Sequence, residues 1–440
     1  MALVVRAGCL PSEPPPRARC GARGRLIAAG VVSALLITAG VHSGPVSASL
    51  TLTPYLYSGW QVDKSTGAEV CAVSSGERCG VGAPSGEAGG FKYLTSVAVA
   101  PATGDVYVAD TGNDRVEVLS ASGAFLSTFG APGYVGYPSS LAVAPTTGDV
   151  YVLEIGPENY RIDKYTAAGR FVWTVGSHVN ASTGGDLCTE KEVRQARVRC
   201  GEGMRAGVDS IAPAVFKFTQ FAGNLLAVGG PEELLYVGDE HRIQEFDSSG
   251  KWRGEILLAA LSGAPQSAVS ALAVDQRGIL YVVYRVANPL TGAIGEDTGT
   301  IHEFDAQGEP LGQIVVPPLQ AQASVGIVGI AVDRFGQLAV VGGESGPERG
   351  GEPRSPRFGA LSERDGGGHF SRFQVPNDYD GIAFNASGDL YVAATDDQEV
   401  VGYVPAQAQE LLTSPTACKV GIEASLSFSC TLSTLAAGEP

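Results

Sequence analysis

The sequence predicts an all-β, six-bladed β-propeller, and three observations carry that expectation. A long phrase recurs along the chain, each copy breaks into short apolar runs separated by tight turns, and a segment near the start can supply a strand that the last copy lacks. The phrase VAVAPATGDVYVADTGNDRVEVLSASGAFLSTFG runs from Val97 to Gly130, and LAVAPTTGDVYVLEIGPENYRIDKYTAAGRFVWTVG begins at Leu141. Shorter copies follow: LLYVGDEHRIQEFDSSGKW from Leu234, LAVDQRGILYVV from Leu272, IAVDRFGQLAVV from Ile330 and IAFNASGDLYVAA from Ile382. Self-similarity at a period of roughly 40–50 residues is the signature of a propeller or solenoid.

One copy reads as four strands. In the first, Ser96 to Ala100 places Val97 and Val99 on one face, and Pro101 to Asp105 carries Pro and Gly where a tight reversal needs them. Val106 to Ala109 is near-continuously apolar, as a strand covered on both faces must be. Arg115 to Leu119 alternates polar and apolar, which suits a half-buried strand, and Phe125 to Phe129 is the edge strand. Four such strands cannot bury both faces alone, so neighbouring units must stack radially.

The matching residues, VAVxPxTGDVYVxDxGNxRVxVxxxxGxFLxTFG, resemble the NHL repeat, a family of β-propeller blades, over about 95–176 and again over 224–404. The fifth copy departs most, with Ala339-Val340-Val341 in place of YVAD and a Gly/Pro/Arg-rich interruption. The sixth copy ends at Val404 without an outer strand. VDKSTGAEVC (Val62 to Cys71) matches VNASTGGDLC (Val179 to Cys188), which directly follows the outer strand of blade 2. An outer strand is therefore expected just before Val62, at Tyr55 to Trp60, closing the last blade and removing an open sheet edge.

Three regions follow: a leader (1–48), the propeller (49–405), and a linker with a Cys-containing tail (406–440). In the leader, Arg17, Arg19, Arg23 and Arg25 precede an uncharged run from Leu26 to Val41, and Val46-Ser47-Ala48 offers a small-residue cleavage site. That layout is a secretory signal helix, with retention as a transmembrane anchor the alternative. Five arginines against one glutamate give residues 1–48 a charge of +4, which leaves −20 on the remainder of a chain whose total is −16. So acidic a surface argues against nucleic acid and against anionic membrane as partners. The expected location is extracellular or cell-surface, with membrane contact only through an uncleaved leader, and 23 Arg against 7 Lys suggests a bacterial source.

Outside the leader, six cysteines fall in close pairs: Cys71 with Cys79, Cys188 with Cys200, and Cys418 with Cys430. An even count in an exported chain reads as local disulfides that staple loops. The intervening spacings, with no His pair nearby, fit a zinc site poorly. The tail, Thr416 to Leu435, alternates like a single hairpin around its pair.

Loop lengths point to function. Turns between first and second strands, and between third and fourth, lie on one face and are short: PATGD, PTTGD, DQRG, DRFG and NASG, then SASG, TAAG, DSSG and DAQG. The long segments, about 63–94, 177–222, 285–299 and 342–357, all map to the opposite face. Long loops gathered on one face of a rigid scaffold are where binding usually sits. The expected role is a binding scaffold for a protein or an extracellular glycan.

Two alternatives stand beside it. One is a membrane-tethered structural protein of the cell envelope. The other is a metal-dependent hydrolase or lyase, because some six-bladed relatives, lactonase-like hydrolases and the peptide α-amidating lyase among them, hold a metal at the tunnel mouth. Asp110, Glu154 and Asp239 end second strands and are the candidate ligands, for Ca²⁺. The structural reading of the same acids is that each fixes its turn. Histidines are scattered: His42 in the leader, His178 in an insertion, and His241, His302 and His369 in different blades, none in HxH or HExxH spacing. No catalytic residue is expected, and no cofactor beyond that Ca²⁺. Asn180-Ala-Ser and Asn385-Ala-Ser match a glycosylation pattern, and Trp60, Trp173 and Trp252 read as a repeated outer-strand aromatic for interblade packing.

Overall fold

The structure is a computed structural model. It describes residues 52–405 apart from segments 74–77, 131–135, 157–159, 197–199, 204–211, 219–223, 259–266, 287–298, 319–323, 346–356, 363–368 and 376–378 and a few single loop positions, and two short tail strands. The leader, most of the tail, His241 and the tips of the 285–299 and 342–357 segments therefore lie outside the described residues.

In chain order, β1 (Leu52–Ser58) and β2 (Val70–Ala72) precede blade 1, formed by β3 (Leu94–Val99), β4 (Val106–Asp110), β5 (Arg115–Leu119) and β6 (Phe125–Phe129). Blade 2 is β7 (Pro138–Val143), β8 (Val150–Ile155), β9 (Tyr160–Tyr165) and β10 (Phe171–Val175), followed by β11 (Leu187–Thr189) and helix α1 (Glu190–Ala196). Blade 3 is β12 (Leu226–Gly229), β13 (Leu234–Gly238), β14 (Arg242–Phe246) and β15 (Trp252–Leu257). Blade 4 is β16 (Ser267–Val274), β17 (Leu280–Val286), β18 (Thr300–Phe304) and β19 (Pro310–Val315). Blade 5 is β20 (Ser324–Val332), β21 (Leu338–Ser345), β22 (Arg357–Ser362) and β23 (Phe370–Phe373). Blade 6 begins with β24 (Gly381–Phe384), β25 (Leu390–Ala394) and β26 (Glu399–Pro405), and the tail carries β27 (Cys418–Val420) and β28 (Phe428–Cys430).

All pairing within a blade is antiparallel, and β1 completes blade 6 from Leu52↔Pro405 to Ser58↔Val400. The inner strands touch in the cyclic order β3, β7, β12, β16, β20, β24 and back to β3, so the ring is closed. The closing strand runs from Leu52 to Ser58 rather than from Tyr55 to Trp60. The chain turns at Gly59, where a Cβ would lie 2.6 Å from the Gln398 carbonyl oxygen, so the strand ends before Trp60.

The matched segments VDKSTGAEVC and VNASTGGDLC do the same job. Each adds a fifth, outermost strand: β2 on β1 (Leu56↔Ala72) and β11 on β10 (Trp173↔Thr189). Behind β11, Thr189 and Glu192 form a reciprocal cap on α1: the Thr189 N–H donates to Glu192 Oε2 at 2.8 Å and the Glu192 N–H to Thr189 Oγ1 at 3.4 Å. The core lies between blades, where Tyr107, Tyr151, Tyr236 and Tyr391 are fully buried. Each such side chain contributes roughly 2–3 kcal/mol of transfer free energy.

The short turns are self-contained. In Asp247–Gly250, Asp275–Gly278, Asp305–Gly308, Asp333–Gly336 and Asn385–Gly388, the first side chain accepts backbone N–H bonds two and four residues on. The glycine sits at φ between 80° and 90°, which a side chain would strain.

At the axis, blades are tied by small polar side chains. The Leu141 N–H donates to Ser96 Oγ (3.1 Å) and the Leu225 N–H to Ser140 Oγ (3.0 Å). Asn224 of blade 3 reaches blade 6, donating to the Ile382 carbonyl at 3.1 Å and accepting its N–H at 3.3 Å, while its own carbonyl accepts the Leu272 N–H of blade 4. A buried side chain thus crosses the ring at this level.

Candidate functional site

Antiparallel alternation puts the second-to-third turns and the blade connections on one face, and all four long segments are of these two kinds. In blades 4 and 5 the inner hairpins lengthen toward that face, with pairing continuing to Ser267↔Val286 and Ser324↔Ser345. Disulfides Cys71–Cys79 and Cys188–Cys200 are formed, with Cα separations of 5.5 and 5.8 Å, and pin the two long connections beside β2 and β11. The backbone register sets Cys418 opposite Cys430, whose side chains lie outside the described residues.

The three candidate acids sit where these connections meet the ring, and each is committed to an arginine at the start of the third strand of its own blade. In blade 1, Arg115 Nε lies 2.7 Å from Asp110 Oδ2, and Nη2 lies 2.7 Å from Glu117 Oε1. The same guanidinium donates to the Gly86, Glu87 and Gly90 carbonyls of the incoming connection at 2.7–2.9 Å. Asp110 also accepts the Lys92 N–H at 2.8 Å.

In blade 2, Arg161 Nη2 lies 3.0 Å from Glu154 and Nε 3.3 Å from Asp163, while Nη1 donates to the Gly201 carbonyl just past the Cys188–Cys200 bridge. In blade 3, Arg242 pairs with Asp239 (3.2 Å) and Glu255 (2.6 Å) and donates to the Ala212 and Val215 carbonyls. Gln244 reinforces the clamp, donating to Val215 and accepting from the Ala214 N–H. Burial pushes the carboxyls of Asp110 and Glu154 above their ordinary range, and the charge of Asp163 adds to the effect at Glu154.

Asp110, Glu154 and Asp239 are therefore distributed one per blade, and among the described residues no three His, Cys, Asp or Glu side chains are grouped to hold a metal ion. What the clamps accomplish is mechanical. A guanidinium presents five donors in a planar fork, which suits it to collect several loop carbonyls at once while its charge is neutralised from below. Blade 6 departs from the rule: β26 opens with Glu399, which is buried beneath the 59–82 connection. In blade 4 the place of Glu117 is taken by His302, stacked on Tyr284 with ring centroids 4.4 Å apart.

Other candidates fall apart from one another. His178 and His369 are exposed in separate blades. The amide of Asn180 is buried, donating to the Leu187 carbonyl and to Glu192 and accepting from Ser182 and Thr183, while that of Asn385 caps its own turn. Both sequence matches to a glycosylation signal are thus structural asparagines. The tryptophans do not share a position. Trp173 is buried against Tyr151 and donates to the Ser248 carbonyl of blade 3, but its counterpart in β1 is Leu56, as the paired fifth strands show. Trp60 lies beyond β1, and Trp252 opens β15 and is exposed.

Fold and site together define a six-bladed β-propeller with one loop-elaborated face, a rigid scaffold of the kind that supports binding roles. No protein-family model matches the sequence, and no curated protein matches it. Among solved structures, a streptogramin B lyase is similar over 72% of this chain and 94% of its own at 12% identity (TM-score 0.41). The hydrazine synthase of Kuenenia stuttgartiensis is similar over 76% and 82% at 13% identity (TM-score 0.44). Virginiamycin B lyase from Staphylococcus aureus is similar over 77% and 85% at 11% identity (TM-score 0.41). Likeness at this level says nothing about what this chain does. Among the described residues no helix is long and apolar enough to cross a membrane.

Proposed function

We propose that this chain is an exported NHL-type propeller that acts as a binding scaffold, engaging a protein or an extracellular glycan through the face that carries its long segments. The observation that supports this most is the arginine clamp. Two long connections are fastened to the ring, one by Arg115 and the other by Arg161 and Arg242, and both are also disulfide-pinned. Loops held in place lose less conformational freedom when they bind, which raises affinity for a given contact surface. The −20 charge of the region after the leader favours a neutral or basic partner. The test screens residues 49–440 on a glycan array and a displayed peptide library, then footprints the best binder by hydrogen exchange. Protection is expected in 63–94, 177–222, 285–299 and 342–357. A footprint confined to the short-turn face would overturn the proposal.

A further inference from the structure

Five blades carry a tyrosine at the same place in the second strand, and the register fixes what stands opposite it in the third: Val118 across from Tyr107, Lys164 from Tyr151, Glu245 from Tyr236, Glu303 from Tyr281 and Gly402 from Tyr391. This tyrosine faces the third-to-fourth turn of the next blade. Tyr107 Oη donates to the Ala167 carbonyl and Tyr391 Oη to the Ala121 carbonyl, both at 3.1 Å.

Between blades 2 and 3 an ammonium group fills the space instead. Lys164 Nζ sits 5.2 Å from the centroid of the Tyr151 ring, donates to the Ser248 carbonyl at 3.0 Å, and pairs with Asp149 at 2.8 Å. The fold thus displays a site for an alkylammonium, occupied by its own lysine.

Between blades 3 and 4 the lysine is replaced by Glu245 and Asp149 by Leu234, and a cavity of about 380 Å³ opens on the short-turn face. It is lined by Tyr236, by Ala306 (the counterpart of Ser248), by Asp305 and Glu232, and by Gly230 and Gly278. The glycines keep it open: Gly230 has φ +74° and a Cβ there would lie 3.2 Å from Gly278 Cα. Among the described residues the one cation on its wall, Arg277, is forked onto Asp275 with both Nε and Nη2 at 2.7 Å from Oδ2. The volume falls in the range of small-ligand clefts.

We propose that this cavity binds a primary alkylammonium, its charged head placed between Tyr236, the Ala306 carbonyl and the rim carboxylates as that of Lys164 is placed one blade earlier. An aromatic face, a carbonyl and a carboxylate together select an ammonium over a neutral head group. The head group can come from a free amine or from a lysine side chain. The site lies on the face opposite the long segments, so it stands or falls independently of the function proposed above.

The test is calorimetric titration of residues 49–440 at 150 mM salt with cadaverine, with Nα-acetyl-lysine methylamide and with 1-pentanol as the neutral control. Saturable one-to-one binding of cadaverine without binding of pentanol is expected. Binding of the lysine amide as well assigns the site to protein side chains, and its exclusion assigns it to free amines. Glu245→Lys, which transplants the blade 2 arrangement, is expected to fill the cavity and weaken cadaverine binding at least tenfold. Asp305→Asn keeps the oxygen that accepts the Gln307 and Glu309 N–H bonds and so keeps the turn; it is expected to weaken binding several-fold and serves alone if the first variant does not fold. Equal binding of pentanol, no cadaverine binding by the unsubstituted protein, or undiminished binding in the folded variants would overturn the proposal.

Discussion

Glu399 stands where three other blades place a clamping arginine, and that exchange is expected to make the stability of the ring pH-dependent. The side chain is 3% exposed, and its Oε2 has no hydrogen-bond partner among the described residues. Burial pushes its carboxyl up to about 8 from 4.5, and the charge of Asp397 adds to the rise. The Gly82 N–H and Lys64 pull the other way and are outweighed. Between pH 4.5 and about 8 the folded protein therefore holds a proton that the unfolded chain has released. Stability must fall as pH rises through that window and level off above it. At about 1.4 kcal/mol per pH unit of separation, the full cost is about 5 kcal/mol. Glu399→Gln is neutral at every pH and still accepts from Gly82. Relative to the unsubstituted protein, it should melt at nearly the same temperature at pH 4.5 and higher by about 5–10 °C at pH 8.5, taking about 2 °C per kcal/mol for a domain of this size. Scanning calorimetry of both proteins from pH 4.5 to 9 isolates this group by difference, since other buried acids contribute equally to each. A melting difference that does not change with pH, or a variant that loses ground as pH rises, would refute the reasoning.

Three further outcomes follow from the same geometry. Arg161→Met leaves Glu154 and Asp163 buried without their cation and should cost about 3–5 kcal/mol in urea unfolding, with faster hydrogen exchange at 200–203; an exchange pattern unchanged there would show that the clamp does not hold the loop. Replacing Cys188 and Cys200 by serine opens a bridge of sequence separation 12 and should cost about 2–3 kcal/mol, with β11 losing exchange protection before β10; simultaneous loss would argue that the fifth strand is integral to the blade. Asn224→Leu strands the Ile382 N–H and carbonyl at the axis and should cost about 2–4 kcal/mol, whereas a neutral result in denaturant titration would show that these groups find other partners.

The repeated phrase made the strands legible because a propeller blade is a local object: VYVAD, its turn and RVEVL need only one another to be recognised. The match of VDKSTGAEVC to VNASTGGDLC pointed to closure; that each segment also adds a fifth strand is visible only in the structure. Register was harder. Trp60, Trp173 and Trp252, expected on corresponding outer strands, occupy different places, because the same match aligns Leu56 with Trp173. The clamps are only half legible in the sequence, for a physical reason. Half of each is sequence, an acid ending the second strand and an arginine at the start of the third (Arg115, Arg161, Arg242), and that half was legible in NDR, NYR and EHR. The other half is backbone carbonyl at Gly86, Gly201 and Ala212, which carries no side-chain signature and is brought close only by the fold. The cavity between blades 3 and 4 was hidden in the same way, because Glu245 in place of Lys164 means nothing until the register sets both opposite their tyrosines.

The two faces of the ring are built by different physics, and this explains why only one of them carries long segments. On the short-turn face each reversal closes on itself: Asp275, Asp305, Asp333 and Asn385 bond their own backbone within four residues, and a glycine at positive φ completes the turn. Such a turn has no spare donor with which to hold an insertion, and lengthening it would break the side-chain bonds that define it. On the opposite face the fastening is non-local. The guanidiniums of Arg115, Arg161 and Arg242 belong to the blades, while the carbonyls they collect belong to the adjoining connection, arriving for Arg115 and Arg242 and departing for Arg161. A clamp of this kind grips a few carbonyls of a connection and places no limit on the length of chain outside its grip. Loop closure entropy grows only slowly with length, by about 0.6 kcal/mol per doubling, so that stretch can lengthen and change sequence at little cost to the ring. The arginine clamp is thus a feature that makes the two long connections of this face permissive, and it makes a transplant test possible: a foreign loop inserted ahead of Gly201 should leave the melting temperature within a few degrees, whereas the same insertion between Asp305 and Gly308 should not.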